Sequence, residues 1–296
     1  MTLGAAAYAA LRATGWPALR RRRRGAIFCF HNVVEGPVAH ADTSLHLPVT
    51  RFARLLDWIA ADYRVLPLNE LLERVRQGEA VGGLASLTVD DGYTGFLRLG
   101  LPVLRSRQLP ATMFVVSGAA ASPAPFWWDL AGAQGRLTDR SRQAALTEWA
   151  GRGDRVVPGL GLRQSALPPD LMPADWKAIV KVMGPDLAIG AHTASHCNLT
   201  AVSPETVATE FQEANRAIRE ALGVEPTIVS YPYGLTSPPV ADAAPRAGYR
   251  FGVQLGSDGV LANTDSYRIP RINVPATATA GQLACWATGL RWNKPR

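Results

Sequence analysis

Cysteine is scarce in this chain, which has only three among its 296 residues: Cys29, Cys197 and Cys285. Thiols so few and so scattered cannot form a disulfide framework, and they are typical of a protein in a reducing compartment. Cys197 directly follows His196 and could ligate a metal, although a small buried thiol is the more frequent role of such a residue. The fold must therefore depend on a hydrophobic core, which 47% hydrophobic residues can provide.

Long hydrophobic runs are missing as well. Residues 3–19 are apolar, but this stretch is short for a transmembrane helix and lacks the charged start of a secretory signal. Five consecutive arginines, Arg20 to Arg24, follow it and contribute much of the formal net charge of +7. We expect residues 1–24 to form a basic segment at an anionic membrane surface, with the enzyme body in the cytoplasm. A surface helix with a solvated basic end would explain the same residues. No aromatic residues are interleaved with the arginines, so nucleic-acid binding is not indicated.

Strand-like and helix-like segments alternate from residue 25 onward. Short apolar runs predict strands, and apolar residues at helical spacing predict helices. Strands are predicted at 25–30, 63–66, 84–89, 111–116, 187–190, 228–229, 249–253 and 269–274, and helices at 49–62, 68–77, 101–107 and 203–222. The alternation predicts a parallel sheet or barrel with helices outside, but periodicity alone does not distinguish these two folds.

Two aspartates and two histidines carry the strongest chemical signal. Asp90 and Asp91 follow an apolar run, and the C-terminal end of a strand is where α/β sheets and barrels place their chemistry. His192 and His196 would face the same way if their segment were helical. One carboxylate and two imidazoles leave a coordination position open for water, as in catalytic metal sites. The second carboxylate is then free to act as a base, so the pattern indicates a hydrolase.

Three motifs carry a family resemblance. Residues 88–92 read Thr-Val-Asp-Asp-Gly, residues 192–196 His-Thr-Ala-Ser-His, and residues 230–234 Ser-Tyr-Pro-Tyr-Gly. The first resembles the Thr-Phe-Asp-Asp-Gly motif of the polysaccharide deacetylases, the NodB-like carbohydrate esterases (family 4), and the second matches their His-[Ser/Thr]-x-x-His motif. The third resembles Arg-x-Pro-Tyr, except that Ser230 stands where many members have arginine. The resemblance covers roughly residues 26–275 and implies an α/β fold, a distorted, incomplete (β/α) barrel.

The resemblance also implies roles for the motif residues. Asp91, His192 and His196 would hold one divalent metal; these ligands favour Zn²⁺ and would also accept Co²⁺ or Ni²⁺. Asp90 would act as general base. The backbone N–H of Tyr233 would stabilise the oxyanion of the tetrahedral intermediate.

Two further residues are expected to complete the site. Family members commonly supply a histidine near the C-terminus as general acid, yet no histidine follows His196. Residues 30–34, Phe-His-Asn-Val-Val, resemble the Tyr-His-x-Val start of a circularly permuted branch, in which this histidine takes the general-acid place. We therefore expect His31 to be the acid; a buried structural histidine would also fit. Arg271 is expected to pair with Asp90 in place of the missing arginine, with a surface salt bridge as the alternative.

The alternation breaks between about residues 119 and 186, which predicts an insertion into a single domain of residues 25–296. Helices are predicted within it at 140–149 and 174–183. Trp127 and Trp128 are expected to stack on a sugar ring and Asp129 to bind its hydroxyls, with Tyr231 as a further substrate contact. A core aromatic cluster that anchors the insertion would equally explain one of the tryptophans.

These features together predict a metal-dependent carbohydrate de-N-acetylase that hydrolyses the acetamide of an N-acetylhexosamine. The basic N-terminus favours a lipid-linked glycan at the inner face of the membrane, although a small soluble glycoside would fit the same residues. A sugar deformylase or O-acetyl esterase would use the same groups, and a catalytically idle glycan-binding module would share the fold. The presence of Asp90 and of all three metal ligands favours an enzyme.

Overall fold

A computed structural model describes residues 5–38, 42, 44–256 and 258–290 of the chain. Ten short strands lie within these residues. They are β1 (Ala26–Phe30), β2 (Asn32–Val34), β3 (His46–Pro48), β4 (Arg64–Val65), β5 (Leu84–Val89), β6 (Ala111–Val115), β7 (Leu187–Ala191), β8 (Ile228–Ser230), β9 (Phe251–Leu255) and β10 (Ile269–Asn273).

Seven of these strands close into a parallel barrel in the order β1, β5, β6, β7, β8, β9, β10. The ring closes because β1 pairs with β5 on one side and with β10 on the other, where Cys29 lies opposite Asn273. The barrel is distorted, since β7 and β8 pair in register only at Ala191 and Val229. Strand β4 adds to the beginning of β5, and β2 and β3 form a separate parallel pair. The predicted distorted (β/α) barrel is thus confirmed.

Thirteen α-helices accompany the strands within the same described residues. They are α1 (Ala5–Ala13), α2 (Trp16–Arg21), α3 (Val49–Asp62), α4 (Leu68–Arg76), α5 (Leu101–Ser106), α6 (Ser117–Ala121), α7 (Trp127–Ala133), α8 (Asp139–Thr147), α9 (Gly153–Gly159), α10 (Trp176–Val182), α11 (Pro204–Leu222), α12 (Pro238–Arg246) and α13 (Ala280–Trp286). Every predicted helix is present to within a few residues.

The barrel strands are buried on both faces, as expected of parallel strands that are covered by helices. All five residues of β1 are buried, and so are those of β6. Helix α11 shows how the local sequence sets an element's bounds. The Ser203 side chain accepts a hydrogen bond from the Thr206 amide at its start, and Gly223 ends it in a left-handed conformation (φ 68°).

The interruption predicted between residues 119 and 186 contains most of α6 and all of α7 to α10. The two predicted helices correspond to α8 and α10. Helices α7 and α9 were not predicted, because each is only seven residues long and packs into an aromatic cluster with Tyr93 rather than onto a barrel strand. Helix α7 carries Trp127 and Trp128 to the C-terminal end of the barrel.

The predicted basic segment contains α1 and α2, while its residues 1–4 lie outside the described residues. Helix α1 packs against α13, and its Tyr8 side chain is buried in the main core. The approach is close, because a Cβ atom at Gly281 would lie 3.4 Å from the Tyr8 carbonyl oxygen. Among the described helices, none combines the length and the hydropathy that a membrane span requires.

Candidate active site

Asp90 and Asp91 lie in a tight turn where β5 ends. The Asp90 amide donates to the Phe30 carbonyl (2.9 Å), and the Gly92 amide donates to the Asp90 carbonyl (2.9 Å). Asp91 is left-handed with φ at 71°, a conformation that non-glycine residues seldom adopt and that is concentrated at functional sites. The turn directs the two neighbouring carboxylates to different partners.

His192 and His196 lie in a loop after β7, so the helix that would have aligned them is absent and that expectation is corrected. Thr193 and His196 both have positive φ (63° and 57°), and the fold of the loop places the two rings 4.7 Å apart, centroid to centroid. Glu210 of α11 holds the loop by accepting hydrogen bonds from the amides of Ala194 (2.9 Å) and Ser195 (2.8 Å). A buried carboxylate thus takes the place of helical hydrogen bonding.

Asp91, His192 and His196 form a donor set that fits one divalent cation. Asp91 Oδ1 lies 3.5 Å from His192 Nε2 and 3.3 Å from His196 Nε2, and all three residues are buried. His192 Nδ1 lies 2.7 Å from the Ser230 carbonyl, which assigns the ring proton to Nδ1 and leaves the Nε2 lone pair for a metal. Asp91 Oδ1 has no hydrogen-bond partner among the described residues. Burial alone would raise the pKa of Asp91, but the two histidines beside it hold that pKa well below its usual range.

Asp90 forms a bidentate ion pair with Arg271. Each carboxylate oxygen accepts one guanidinium hydrogen bond of 2.7 Å, and the Arg271 side chain is fully buried on β10. Ser230 joins the pair, since its hydroxyl donates to Asp90 (3.1 Å) and accepts from Arg271 (2.7 Å). Burial would raise the pKa of Asp90, but the charges of Arg271 and His192 hold it well below its usual range. Asp90 is therefore a carboxylate at neutral pH.

A cavity of about 250 Å³ opens above these groups at the C-terminal end of the barrel. Asp90, Asp91, His192 and His196 form part of its wall, and the remaining lining includes His31, Trp127, Trp128, Tyr233, Leu45, Leu146, Leu255, Asn273, Asp42, Ser44 and Arg142. The cavity wall is largely apolar and carries a few polar groups, as is common for small-molecule sites.

Comparison with known proteins identifies the family. The sequence model for "Polysaccharide deacetylase" matches residues 77–252, which include both aspartates and both histidines. The chain belongs to the polysaccharide deacetylase family. The YxkH protein of Bacillus subtilis (strain 168) is 20% identical to it over 280 residues, which cover 94% of this chain and 81% of the relative.

Solved structures agree with this family fold. IcaB from Ammonifex degensii superposes with a TM-score of 0.65 at 19% identity, covering 90% of this chain and 97% of IcaB. The deacetylase PplD of Streptococcus pyogenes, in complex with acetate, gives a TM-score of 0.62 at 18% identity, covering 88% of this chain and 96% of its own. The de-N-acetylase of Aggregatibacter actinomycetemcomitans gives 0.63 at 15% identity, covering 89% and 99%. The resemblance of residues 30–34 to a circularly permuted branch stays a prediction.

The deacetylase fold places His31 and Tyr233 on the cavity wall with the metal ligands. His31 directly follows β1, and its Nδ1 is buried without a hydrogen-bond partner among the described residues. Burial lowers the pKa of His31, while the charges of Asp91 and Asp90 oppose that shift. Tyr233 has φ at 59°, and its ring lies 4.6 Å from that of His196. The amides of Gly234 and Leu235 close the Tyr233 turn by donating to the carbonyls of Tyr231 and Pro232.

Trp127 and Trp128 both line the cavity and are both anchored by their indole N–H groups. Trp127 donates to the Tyr233 hydroxyl (3.0 Å), and Trp128 donates to the Tyr93 hydroxyl (2.7 Å). The Trp128 ring lies 4.8 Å from that of His196. The two tryptophans therefore combine the predicted wall position with the alternative role of anchoring the insertion in an aromatic cluster.

Asp129 and Tyr231 are not among the residues that line the cavity, which corrects their predicted contact with substrate. The two Asp129 oxygens bind His46 Nε2 (2.7 Å) and the Tyr93 hydroxyl (2.6 Å), so the carboxylate has a structural role. Tyr231 is fully buried, and its hydroxyl donates to the Tyr267 carbonyl (2.8 Å). Both side chains satisfy buried polar partners behind the wall.

Several residues at the site carry no signal in the sequence. Asp42 and Arg142 form a 2.6 Å ion pair at the cavity rim, joining the loop after β2 to α8. Cys29 Sγ lies 3.5 Å from Asp90 Oδ2, while Cys197 is buried and lies outside the Asp91–histidine cluster found among the described residues. Burial raises the pKa of Cys197 to about 12, so this thiol stays protonated. Asp42, Arg142 and Cys29 form no local motif, and only the placement of strands and loops brings them to the site.

Proposed function

We propose that this chain is a metal-dependent hydrolase that removes the N-acetyl group from an N-acetylhexosamine. One observation carries the proposal: a metal-competent set, Asp91, His192 and His196, lies beside an ionised carboxylate, Asp90, on the wall of a cavity large enough for an acetamide and part of a sugar. Amide hydrolysis needs both an activated water and a protonated leaving nitrogen, and the cavity wall offers groups for each.

Asp91 Oδ1 and the Nε2 atoms of His192 and His196 would hold the ion, Zn²⁺ by ligand type. When bound, a divalent ion would polarise the amide carbonyl and lower the pKa of water. Two contacts within the chain hold the histidines in place for the ion. The Ser230 carbonyl orients the His192 ring, and Glu210 fixes the loop that carries both histidines.

Proton transfer would use Asp90 and His31. Asp90 is held in position by two hydrogen bonds from the Arg271 guanidinium. It would accept a proton from the attacking water as the C–O bond forms. His31 would give a proton to the nitrogen as the C–N bond breaks, releasing an amine and acetate. Burial lowers the pKa of His31, and the charges of Asp91 and Asp90 oppose that shift by favouring the protonated form that the acid role needs. The backbone N–H of Tyr233 would donate to the oxyanion.

The sugar would lie against Trp127 and Trp128, whose indole rings are anchored by hydrogen bonds and so offer rigid apolar faces. A hexosamine bears one apolar ring face and several hydroxyls at its rim. The Asp42–Arg142 ion pair at the cavity mouth offers both a donor and an acceptor for such hydroxyls.

The membrane-facing part of the proposal depends on α2 and the turn that follows it. Arg20, Arg22 and Arg23 are exposed, and Leu19 beside them is 62% exposed. Exposed cations next to an apolar side chain suit the interface of an anionic lipid bilayer. We therefore propose a lipid-linked N-acetylated glycan as substrate, with the enzyme peripheral to the inner face of the membrane.

Acetate release tests the proposed reaction. Zn²⁺-loaded protein is incubated with free and lipid-linked N-acetylglucosamine substrates, beside Asp90→Asn and His31→Ala variants and a chelator-treated sample. We expect acetate from the wild type and a loss of at least about 100-fold in each variant, as for removed acid–base groups. Folding and metal content of the variants serve as controls. Formate release from N-formyl analogues, or glycan binding without any acyl release, would replace the deacetylase proposal with a deformylase or an idle glycan-binding module.

A further inference from the structure

Asn273, the last residue of β10, lies on the cavity wall with a polar atom that nothing in the site employs. Its Oδ1 is buried and has no hydrogen-bond partner among the described residues. A buried acceptor without a partner costs free energy, and where its residue lines a cavity, a donor that enters the cavity can pair with it. The cavity is the space from which that donor would come.

Barrel pairing places Asn273 beside Cys29, two residues before His31. Asn273 is in register with Cys29 of β1, and His31 lies two residues beyond Cys29 along the same chain. Side chains two residues apart on a strand share a face. The side chains of Cys29 and Arg271 both contact Asp90, so both point toward the barrel interior. Asn273 and His31 follow them one step nearer the mouth, and both line the cavity.

The nature of the missing donor follows from the chemistry of the substrate. A secondary acetamide offers one strong donor, the N–H of the bond to be cleaved, on the same nitrogen to which His31 would give a proton. We propose that Asn273 Oδ1 accepts a hydrogen bond from the scissile amide N–H and thereby makes the enzyme prefer amides over esters. This inference rests on the proposed function and names a specificity residue within that same site.

An ester lacks the N–H group that an amide has at the scissile bond. An O-acetyl sugar places an oxygen lone pair where the amide has its N–H, so Oδ1 would face another acceptor and remain unpaired. Sites built to hydrogen-bond a substrate group reject analogues that lack it far more strongly than apolar pockets reject a missing methylene. Asn273 would therefore separate an N-acetyl hydrolase from an O-acetyl esterase with the same acid–base groups.

The test compares two substrates that differ at the scissile group: a chito-oligosaccharide with an acetamide at C2, and a cello-oligosaccharide with an acetyl ester at O2. kcat/KM is measured for both with wild-type protein and with Asn273→Leu, Asn273→Ala and Asn273→Asp. We expect Leu and Ala to lower the amide-to-ester ratio of kcat/KM by about 10- to 100-fold, the effect of one unpaired buried donor. Asp, which keeps an acceptor oxygen, should preserve the ratio to within about threefold.

Asn215→Ala is the matched control, because Asn215 on α11 also has a buried Oδ1 with no partner in the described part of the chain but does not line the cavity. Its amide-to-ester ratio should equal that of the wild type. An active wild type whose ratio is unchanged in Asn273→Leu and Asn273→Ala overturns the role of Asn273 alone. A wild type that cleaves esters but no amide overturns the proposed function and this inference together.

Discussion

Arg271 and Asp90 form a buried fork-to-fork ion pair across the barrel, with two hydrogen bonds of 2.7 Å each. Asp90 directly follows β5 and Arg271 lies on β10, so the pair joins two strands that both flank β1. The Ser230 hydroxyl contacts both partners. Ser230, which stands where the third motif's resemblance would place an arginine, thus contacts an arginine from another strand.

Arg271→Met should therefore destabilise the protein by about 3–5 kcal/mol, because it leaves a buried carboxylate uncompensated. The substitution should also raise the pKa of Asp90, so the rate of acetate release should begin to fall at a higher pH on acidification. Arg271→Lys keeps the charge but loses the fork, so its losses should be intermediate. Urea unfolding and a pH profile of acetate release measure both effects. Arg105→Met, which removes an exposed pair with Asp186, should cost less than about 1 kcal/mol.

Glu210 positions the histidine loop without touching the metal set. It accepts from two amides of the loop and from the Ser195 hydroxyl. Glu210→Gln should lower Zn²⁺ affinity by about 10- to 100-fold, as for lost partners of metal ligands. Titration calorimetry gives the affinity directly. Glu213→Gln changes an exposed residue of the same helix and should bind Zn²⁺ as the wild type does; equal affinities in both variants would refute the role of Glu210.

The Asp42–Arg142 pair should make stability depend on pH. Burial would raise the pKa of Asp42, but hydrogen bonds from Ser44 and Arg142 lower it below its ordinary value. A carboxyl with a depressed folded pKa adds stability above its unfolded pKa of about 3.9 and loses it as pH falls through the folded value.

Asp42→Asn should thus cost about 1 kcal/mol at pH 7, discounted because Arg142 is 39% exposed. The cost should shrink as pH falls below about 4, because the unfolded chain takes up a proton at Asp42 there while the folded carboxylate stays charged to lower pH. Denaturant unfolding at the two pH values measures this difference. Asp242→Asn, at an exposed position on α12, should show little cost at either pH.

Binding to anionic vesicles tests the role of the N-terminal arginines. Arg22→Glu combined with Arg23→Glu should abolish co-sedimentation with phosphatidylglycerol vesicles, since each cation near an anionic surface contributes about 1 kcal/mol. Arg216→Glu with Arg246→Glu imposes the same charge change at exposed positions elsewhere and should leave binding intact. Wild-type protein that stays in the supernatant at low salt would remove the membrane proposal without affecting the hydrolase.

Local patterns in the sequence predicted the strands and helices well, because apolar spacing depends on neighbouring residues. The predictions for 84–89 and 203–222 match β5 and α11 closely. They missed the strands β2 and β3 and the helices α6, α7, α9, α12 and α13. Helices α7 and α9 are only seven residues long, and they pack into an aromatic cluster rather than presenting a periodic apolar stripe to a strand.

The sequence by itself determined the chemical inventory: the aspartate pair, the two histidines, the third motif and an arginine at 271. Only the tertiary structure decided how these groups meet. Closure of β1 onto β10 makes a barrel of what could have been an open sheet. It brings Arg271 to Asp90, and it places Asn273 in register with Cys29. It also turned Asp129 and Tyr231 away from the cavity toward buried partners. The physical reason is that such contacts depend on long-range strand register and on the satisfaction of buried polar groups, which no local periodicity encodes.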